Sequence, residues 1–177
     1  MRLAMLAAAL LAATSASAAL PTGAKAPAFT TQGAQAGKVV TVDLARLLAK
    51  GPVVLYFFPA AFTSGCNAEA HAFAEKVAEF GKAGATVVGM STDTVPALQK
   101  FSEQQCAGKF AVATATPAIV KGYDVALGRE IPGKGAVTSR TSYVIARDGR
   151  IAMVHSEMSP AEHITRTLAA VQGLRAK

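Results

Sequence analysis

Cysteine is scarce in this chain: among 177 residues there are two, Cys66 and Cys106, and tryptophan is absent. Two thiols forty positions apart supply neither a four-ligand zinc site nor the C-x-x-C pair on which thiol-disulfide exchange depends. The three histidines, His71, His155 and His163, show no metal-ligand spacing with one another or with the cysteines. Nor is there a Gly-rich phosphate loop, a Ser-His-Asp order or a metalloprotease motif, so no metal and no cofactor is implied. Aromatics make up 6% of the chain, and although 18 lysines and arginines outnumber 11 acids, no two basic residues are adjacent. A nucleic-acid surface needs a basic stripe or stacking aromatics, so the net charge of +7 reads as that of a soluble basic protein with no nucleic-acid partner.

Long apolar runs are equally few. Leu3 to Ala13 form one, preceded by Arg2 and followed by the small-residue site Ala16-Ser17-Ala18. That run is too short to span a bilayer, and its flanks are those of a secretory signal peptide over residues 1–18. No second apolar stretch or stop-transfer pattern follows, which argues against a retained anchor and against membrane association once the segment is removed. The expected destination is the bacterial periplasm or another exported location. Residues 19–177 then carry a net charge of +6 once Arg2 is lost, and their length suits one domain with a sizeable core. No repeat, long linker or low-complexity tract marks a second.

What is present is an alternation of continuous apolar runs with helical patterns. Strands are predicted at 39–42, 53–58, 86–90, 110–113, 141–146 and 151–155. Helices are predicted at 66–80, with Gly81 and Gly84 available as stops, at 95–106 and 117–123 with proline in the first turn, and at 160–174. Such an order, closed by a hairpin at Asp148-Gly149 and a final helix, argues an α/β three-layer sandwich. Strand order does not follow from periodicity.

Cys66 falls at the junction between the apolar run Val53 to Phe58 and the first of those helices. Unpaired backbone N–H groups and the positive end of the macrodipole at a helix start favour a thiolate over a thiol. The approach to it reads Pro59-Ala60-Ala61-Phe62-Thr63-Ser64-Gly65-Cys66, a P-x-x-x-T-x-x-C spacing. Glu69 follows three residues later, then Ala85 to Ser91 leading into Thr92-Asp93, then Ser139-Arg140-Thr141-Ser142-Tyr143-Val144-Ile145. Taken together these resemble the peroxiredoxins, cysteine-dependent peroxidases on a thioredoxin-like scaffold with a central mixed sheet. The similarity runs from about Gly23 to the final helix and is greatest to the bacterioferritin comigratory, or Q-type, subgroup.

That resemblance implies a role for each residue. Cys66 would be the peroxidatic nucleophile. Thr63 would turn its hydroxyl toward the sulfur or the peroxide oxygen, although a plain N-cap role is open to it as well. Pro59, with fixed φ and no N–H, would end the strand and stiffen the loop shielding the thiolate. Arg140, always charged, would stabilise the thiolate and the departing oxygen, with Glu69 one helical turn after Cys66 orienting it. Glu69 as an exposed first-turn acid is the competing reading. His71 reads as an exposed helix residue, and His155, near Glu157, has no assigned role.

Many members of the subgroup place a second cysteine five residues after the first, where this chain has His71. Some carry it on the next helix, which makes Cys106 the candidate resolving cysteine, forming a reversible disulfide with Cys66 after local unfolding. A buried spectator, a pairing between subunits and a permanent bridge are the alternatives. The last would stabilise the fold by about 4 kcal/mol on the chain-entropy model but consume the nucleophile. Expected partners are a hydroperoxide, hydrogen peroxide or an alkyl hydroperoxide, and a thioredoxin-like or glutathione-linked reductant; the subgroup is often monomeric. A thioredoxin-fold exchange protein, or one that binds a redox partner without peroxidase activity, is the second hypothesis. It is disfavoured by the missing C-x-x-C and by the presence of both Thr63 and Arg140.

Overall fold

The computed structural model describes residues 19–175, so the signal segment expected at 1–18 lies outside the described residues. β3 (Val53–Phe57) is the centre of the architecture, and its residues are completely buried. Alternation splits them: Val54, Tyr56 and the following Phe58 face one apolar cluster, and Val53, Leu55 and Phe57 face another. A strand with both faces buried must sit between two layers. Helices α2 (Ser64–Lys82), α3 (Val95–Gln104) and α5 (His163–Arg175) contribute to the first cluster. Residues of α1 (Leu44–Lys50) and α4 (Pro117–Tyr123) contribute to the second. The three-layer α/β sandwich expected from the sequence is the architecture found.

The remaining strands are β1 (Thr30–Gln35), β2 (Lys38–Asp43), β4 (Thr86–Ser91), β5 (Ala111–Thr114), β6 (Ala126–Ile131), β7 (Gly135–Thr138), β8 (Thr141–Ile145) and β9 (Ile151–Ser156). Six of them join β3 in a seven-stranded mixed sheet in the order β2-β1-β5-β4-β3-β8-β9, and β6 and β7 form a separate hairpin. β3, β4 and β5 run parallel, and β8 lies antiparallel to β3 with Phe57 opposite Thr141. This register brings Arg140, just before β8, to the same end of the central strands as the Cys66 loop, which leaves β3 at Phe57.

Five features differ from expectation. The sequence reading left out β1, α1 and the β6–β7 hairpin. β1, Thr-Thr-Gln-Gly-Ala-Gln, has little apolar alternation, and its pairing with β5 rests on Gly33, where a Cβ would lie 2.3 Å from the Val112 carbonyl oxygen. α1 is short and is started by Asp43, whose carboxylate accepts from the Arg46 N–H at 3.1 Å. The hairpin is largely exposed and is turned by Gly133 at φ 74, so it lacks the buried stripe that marks a strand. The fourth difference is at α3, expected to reach Cys106 but ending at Gln104; Cys106 occupies the turn beyond, where Ala107 and Gly108 take φ of 49° and 68°. The last helix likewise starts at His163 and not at Pro160.

Candidate active site

The approach loop is fixed by backbone demands. Phe58 donates its N–H to the Met90 carbonyl at 2.9 Å, and its own carbonyl accepts from Thr138 Oγ1 at 2.9 Å, so the chain enters Pro59 fully paired. Phe62 turns it through φ 67, and Thr63 begins α2 in an extended conformation. Cys66 is the third residue of α2, within the first turn, and is 1% exposed. Thr63 holds the N-cap position but makes no cap bond; its hydroxyl donates to the Ala60 carbonyl at 3.0 Å instead. In this state its hydroxyl hydrogen-bonds neither the sulfur nor an N–H of the helix start, although its carbonyl accepts from the Asn67 N–H at 2.8 Å.

Arg140 converges on the same point with three donors. Nη2 donates to Cys66 Sγ at 3.5 Å, Nη1 pairs with Glu69 Oε2, and Nε donates to the Met158 carbonyl at 2.9 Å. Arg140 is 4% exposed and Glu69 wholly buried, which disposes of the reading of Glu69 as a solvated acid. A buried ion pair is weak evidence for stability, because desolvation offsets the attraction. Its value here is geometric: a planar fork held at two nitrogens has its third aimed at the sulfur. Burial raises the Glu69 carboxyl to about 7, with Arg140 pulling the other way.

A second acid holds the loop from the other side. Asp93 Oδ2 accepts from the Ala61 N–H at 2.6 Å and from Ser91 Oγ at 2.9 Å. Lys134, at the turn of the β6–β7 hairpin, donates to Asp93 Oδ1 at 2.6 Å and reaches the Ala61 carbonyl at 3.5 Å. Neither residue stood out as a site residue in the sequence, because Lys134 is brought over the loop only by a hairpin that the pattern did not disclose.

Behind the arginine lies His163. Its Nε2 bonds the Glu157 carbonyl at 2.8 Å, so that nitrogen carries the hydrogen, and Nδ1 accepts from Ser142 Oγ at 2.7 Å. Burial pushes the His163 imidazole down to about 4. Nδ1 is 3.7 Å from Glu69 Oε1, an oxygen with no hydrogen-bond partner. His155 packs against it with the two rings tilted by 57° and their centroids 4.6 Å apart. His71 is exposed, as expected.

Cys106 is a free thiol, as is Cys66, and it is wholly buried in the same apolar cluster. Desolvation pushes its ionisation far above that of an ordinary thiol. Tyr56 packs into the cluster as well, stacked on Phe73 at 4.4 Å, with its buried hydroxyl unpaired. Among the described residues, no group of three or more metal-ligating side chains is assembled, and no helix is long and apolar enough to cross a membrane.

A first-turn cysteine met by an arginine fork on a thioredoxin-like scaffold defines the class of thiol peroxidases. Residues 22–154 match the AhpC/TSA family model, and the chain belongs to that family, the peroxiredoxins. Its type is peroxiredoxin Q, or bacterioferritin comigratory protein. The chloroplastic peroxiredoxin Q of Suaeda salsa is 34% identical over 155 residues, 86% of this chain and 68% of that protein. Among solved structures, peroxidoxin BcpB of Mycobacterium tuberculosis superposes with a TM-score of 0.76 at 32% identity, covering 86% of this chain and 97% of the other. Peroxiredoxin Q of Xanthomonas campestris gives 0.69 at 25% identity, covering 81% and 90%. A further structure of the Xanthomonas bacterioferritin comigratory protein is described in terms of its alkyl peroxide reduction activity.

Proposed function

We propose that Cys66 is the peroxidatic nucleophile of a peroxidase acting on hydrogen peroxide and alkyl hydroperoxides, and that Cys106 resolves the oxidised sulfur. The observation that carries this reading is the Arg140 fork, one nitrogen on Cys66 Sγ and another on Glu69. The Cys66 thiolate attacks one peroxide oxygen, an S–O bond forms, the O–O bond breaks and the second oxygen departs with the negative charge. Arg140 Nη2, already beside the sulfur, stabilises that oxygen as charge develops. Thr63 swings its hydroxyl from the Ala60 carbonyl to the bound peroxide, and Pro59 keeps water from the thiolate. Glu69 orients the arginine.

Resolution requires motion, since both sulfurs are buried. The first turn of α2 and the turn after α3 open, and the Cys106 thiol loses its proton and attacks the sulfenic sulfur. The S–O bond breaks as the S–S bond forms, and the departing hydroxide takes up a proton equivalent to the one Cys106 gave up and leaves as water. Leaving burial is also what allows the Cys106 thiol to ionise. A thioredoxin-like or glutathione-linked dithiol then reduces the bridge. Arg2, the apolar run Leu3 to Ala13 and Ala16-Ser17-Ala18 support export from a bacterial cytoplasm.

The test is steady-state consumption of hydrogen peroxide and tert-butyl hydroperoxide with a dithiol reductant. Cys66→Ser abolishes turnover. Cys106→Ser keeps the first oxidation but loses recycling by the dithiol; unchanged recycling would refute the resolving role.

A further inference from the structure

The two acidic and basic groups behind Cys66 leave a charge imbalance that the fold does not otherwise resolve. Glu69 is completely buried, one of its oxygens is taken by Arg140, and the other, Oε1, has no partner and lies 3.7 Å from His163 Nδ1, whose lone pair accepts from Ser142 Oγ at 2.7 Å. A buried carboxylate oxygen left without a donor is unfavourable in a low-dielectric site, and a proton on that oxygen removes the cost. Counting charges gives the same answer. With Cys66 as a thiolate, Arg140 is one cation beside two anions; with Cys66 as a neutral sulfenic acid, Arg140 and Glu69 alone balance.

Resting on the reading of Cys66 as the nucleophile, we propose that Glu69 holds one proton, directed from Oε1 toward His163 Nδ1, while Cys66 is a thiolate, and gives it up when the sulfur is oxidised. Glu69 is thereby a proton store acting through Arg140 as well as a positioning residue. The balance is Cys66–S⁻ plus Glu69–COOH plus ROOH giving Cys66–SOH plus Glu69–COO⁻ plus ROH. The sulfur is oxidised and the hydroperoxide reduced by two electrons; the S–O bond forms, the O–O bond breaks, and the departing oxygen ends with the proton that Glu69 releases. Ser142 now donates to His163 Nδ1 at 2.7 Å and gives way when Glu69 donates there.

The surroundings favour Glu69 over His163 as the proton holder. Burial lifts the carboxyl to about 7 against the pull of Arg140; a negative charge on the sulfur that shares Arg140 would raise it further by like-charge repulsion. The imidazole is held down to about 4 by burial, by His155 from β9 and by Arg140 from the start of β8, opposed by Glu157. Arg166 and Glu162 act on His155 from the outer side with opposite signs. The buried Tyr56 hydroxyl of β3 is held neutral by desolvation, with Glu69, Cys66 and Cys106 adding to the effect.

The experiment is a single turnover with one equivalent of hydrogen peroxide at about pH 8, above the value of about 7 set by burial. The ultraviolet thiolate absorbance and a pH indicator are followed together in weak buffer. The expected result is complete loss of the thiolate signal with no net proton uptake from solvent, and, by difference infrared, loss of a protonated carboxylic acid band. Glu69→Gln, where the store is absent, takes up one proton per thiolate lost and shows no such band change. Uptake of one proton per thiolate by the wild-type protein, which needs no variant to interpret, overturns the proposal. A thiolate signal that survives peroxide overturns the Cys66 reading, and this inference with it.

Discussion

Arg140→Lys keeps the charge at the site and removes the fork. The guanidinium spends three nitrogens on three partners: Cys66 Sγ at 3.5 Å, Glu69, and the Met158 carbonyl at 2.9 Å. A single ammonium can serve at most one or two of these, and the buried Glu69 carboxylate is the partner whose loss costs most, so the lysine stays with Glu69. The Met158 carbonyl, on an exposed residue, exchanges its donor for water at a cost of about 0.5–1.5 kcal/mol in stability. The sulfur loses the donor that meets the developing oxyanion. Removing one such preorganised donor costs about 3–4 kcal/mol in the transition state, or about 10²–10³ in rate. The second-order rate of Cys66 sulfenic acid formation, measured by rapid mixing with peroxide, falls by that factor. A rate within about threefold of wild type would show that charge alone suffices and that the fork geometry plays no part.

Asp93→Ala leaves the Ala61 N–H without its acceptor and the Lys134 ammonium without its partner, so the loop before Cys66 loosens; stability falls by about 2–4 kcal/mol, and hydrogen exchange quickens at Ala61. Exchange as slow as wild type at that amide would refute the clasp. Glu69 gives a pH signature. Its carboxyl binds a proton near pH 7 in the folded protein against an ordinary 4.5, so lowering pH through that window favours the folded wild type. The gap in urea midpoint between wild type and Glu69→Gln therefore shifts toward wild type as pH falls from about 7 to 4.5; a constant gap would show a carboxyl with no such shift. Tyr56→Phe deletes a buried hydroxyl that has no partner, and denaturant midpoints should be unchanged or raised by up to about 1 kcal/mol in stability. A loss of that size would reveal a partner for the hydroxyl.

The core strands were legible because their signal is continuous: Val53 to Phe58 and Thr141 to Ile145 are apolar or small throughout, and both are buried on both faces. α4 was placed to the residue by Pro117 in its first turn and the end at Tyr123. Illegible were the elements whose stability comes from tertiary contact. β1 depends on Gly33 passing against β5, and the β6–β7 hairpin has no buried stripe. The site divides in the same way. Cys66, Thr63, Pro59, Glu69 and Arg140 were singled out by spacing and resemblance, and the fold brings Cys66, Glu69 and Arg140 into contact. Thr63 is nearby with its hydroxyl turned elsewhere. His163 and Ser142 were missed as a pair, since they are 21 positions apart and meet only because α5 packs against β8. Single histidines at helix starts carry no signal of their own.

The most direct test of the central claim is an intact mass of the reduced protein, denatured and alkylated after brief exposure to one equivalent of hydrogen peroxide. The account predicts a protein two hydrogens lighter, with Cys66 and Cys106 both protected from alkylation. An unchanged mass with both thiols alkylated would contradict it, because a nucleophile held by Arg140 at the start of α2 cannot remain untouched by its own substrate.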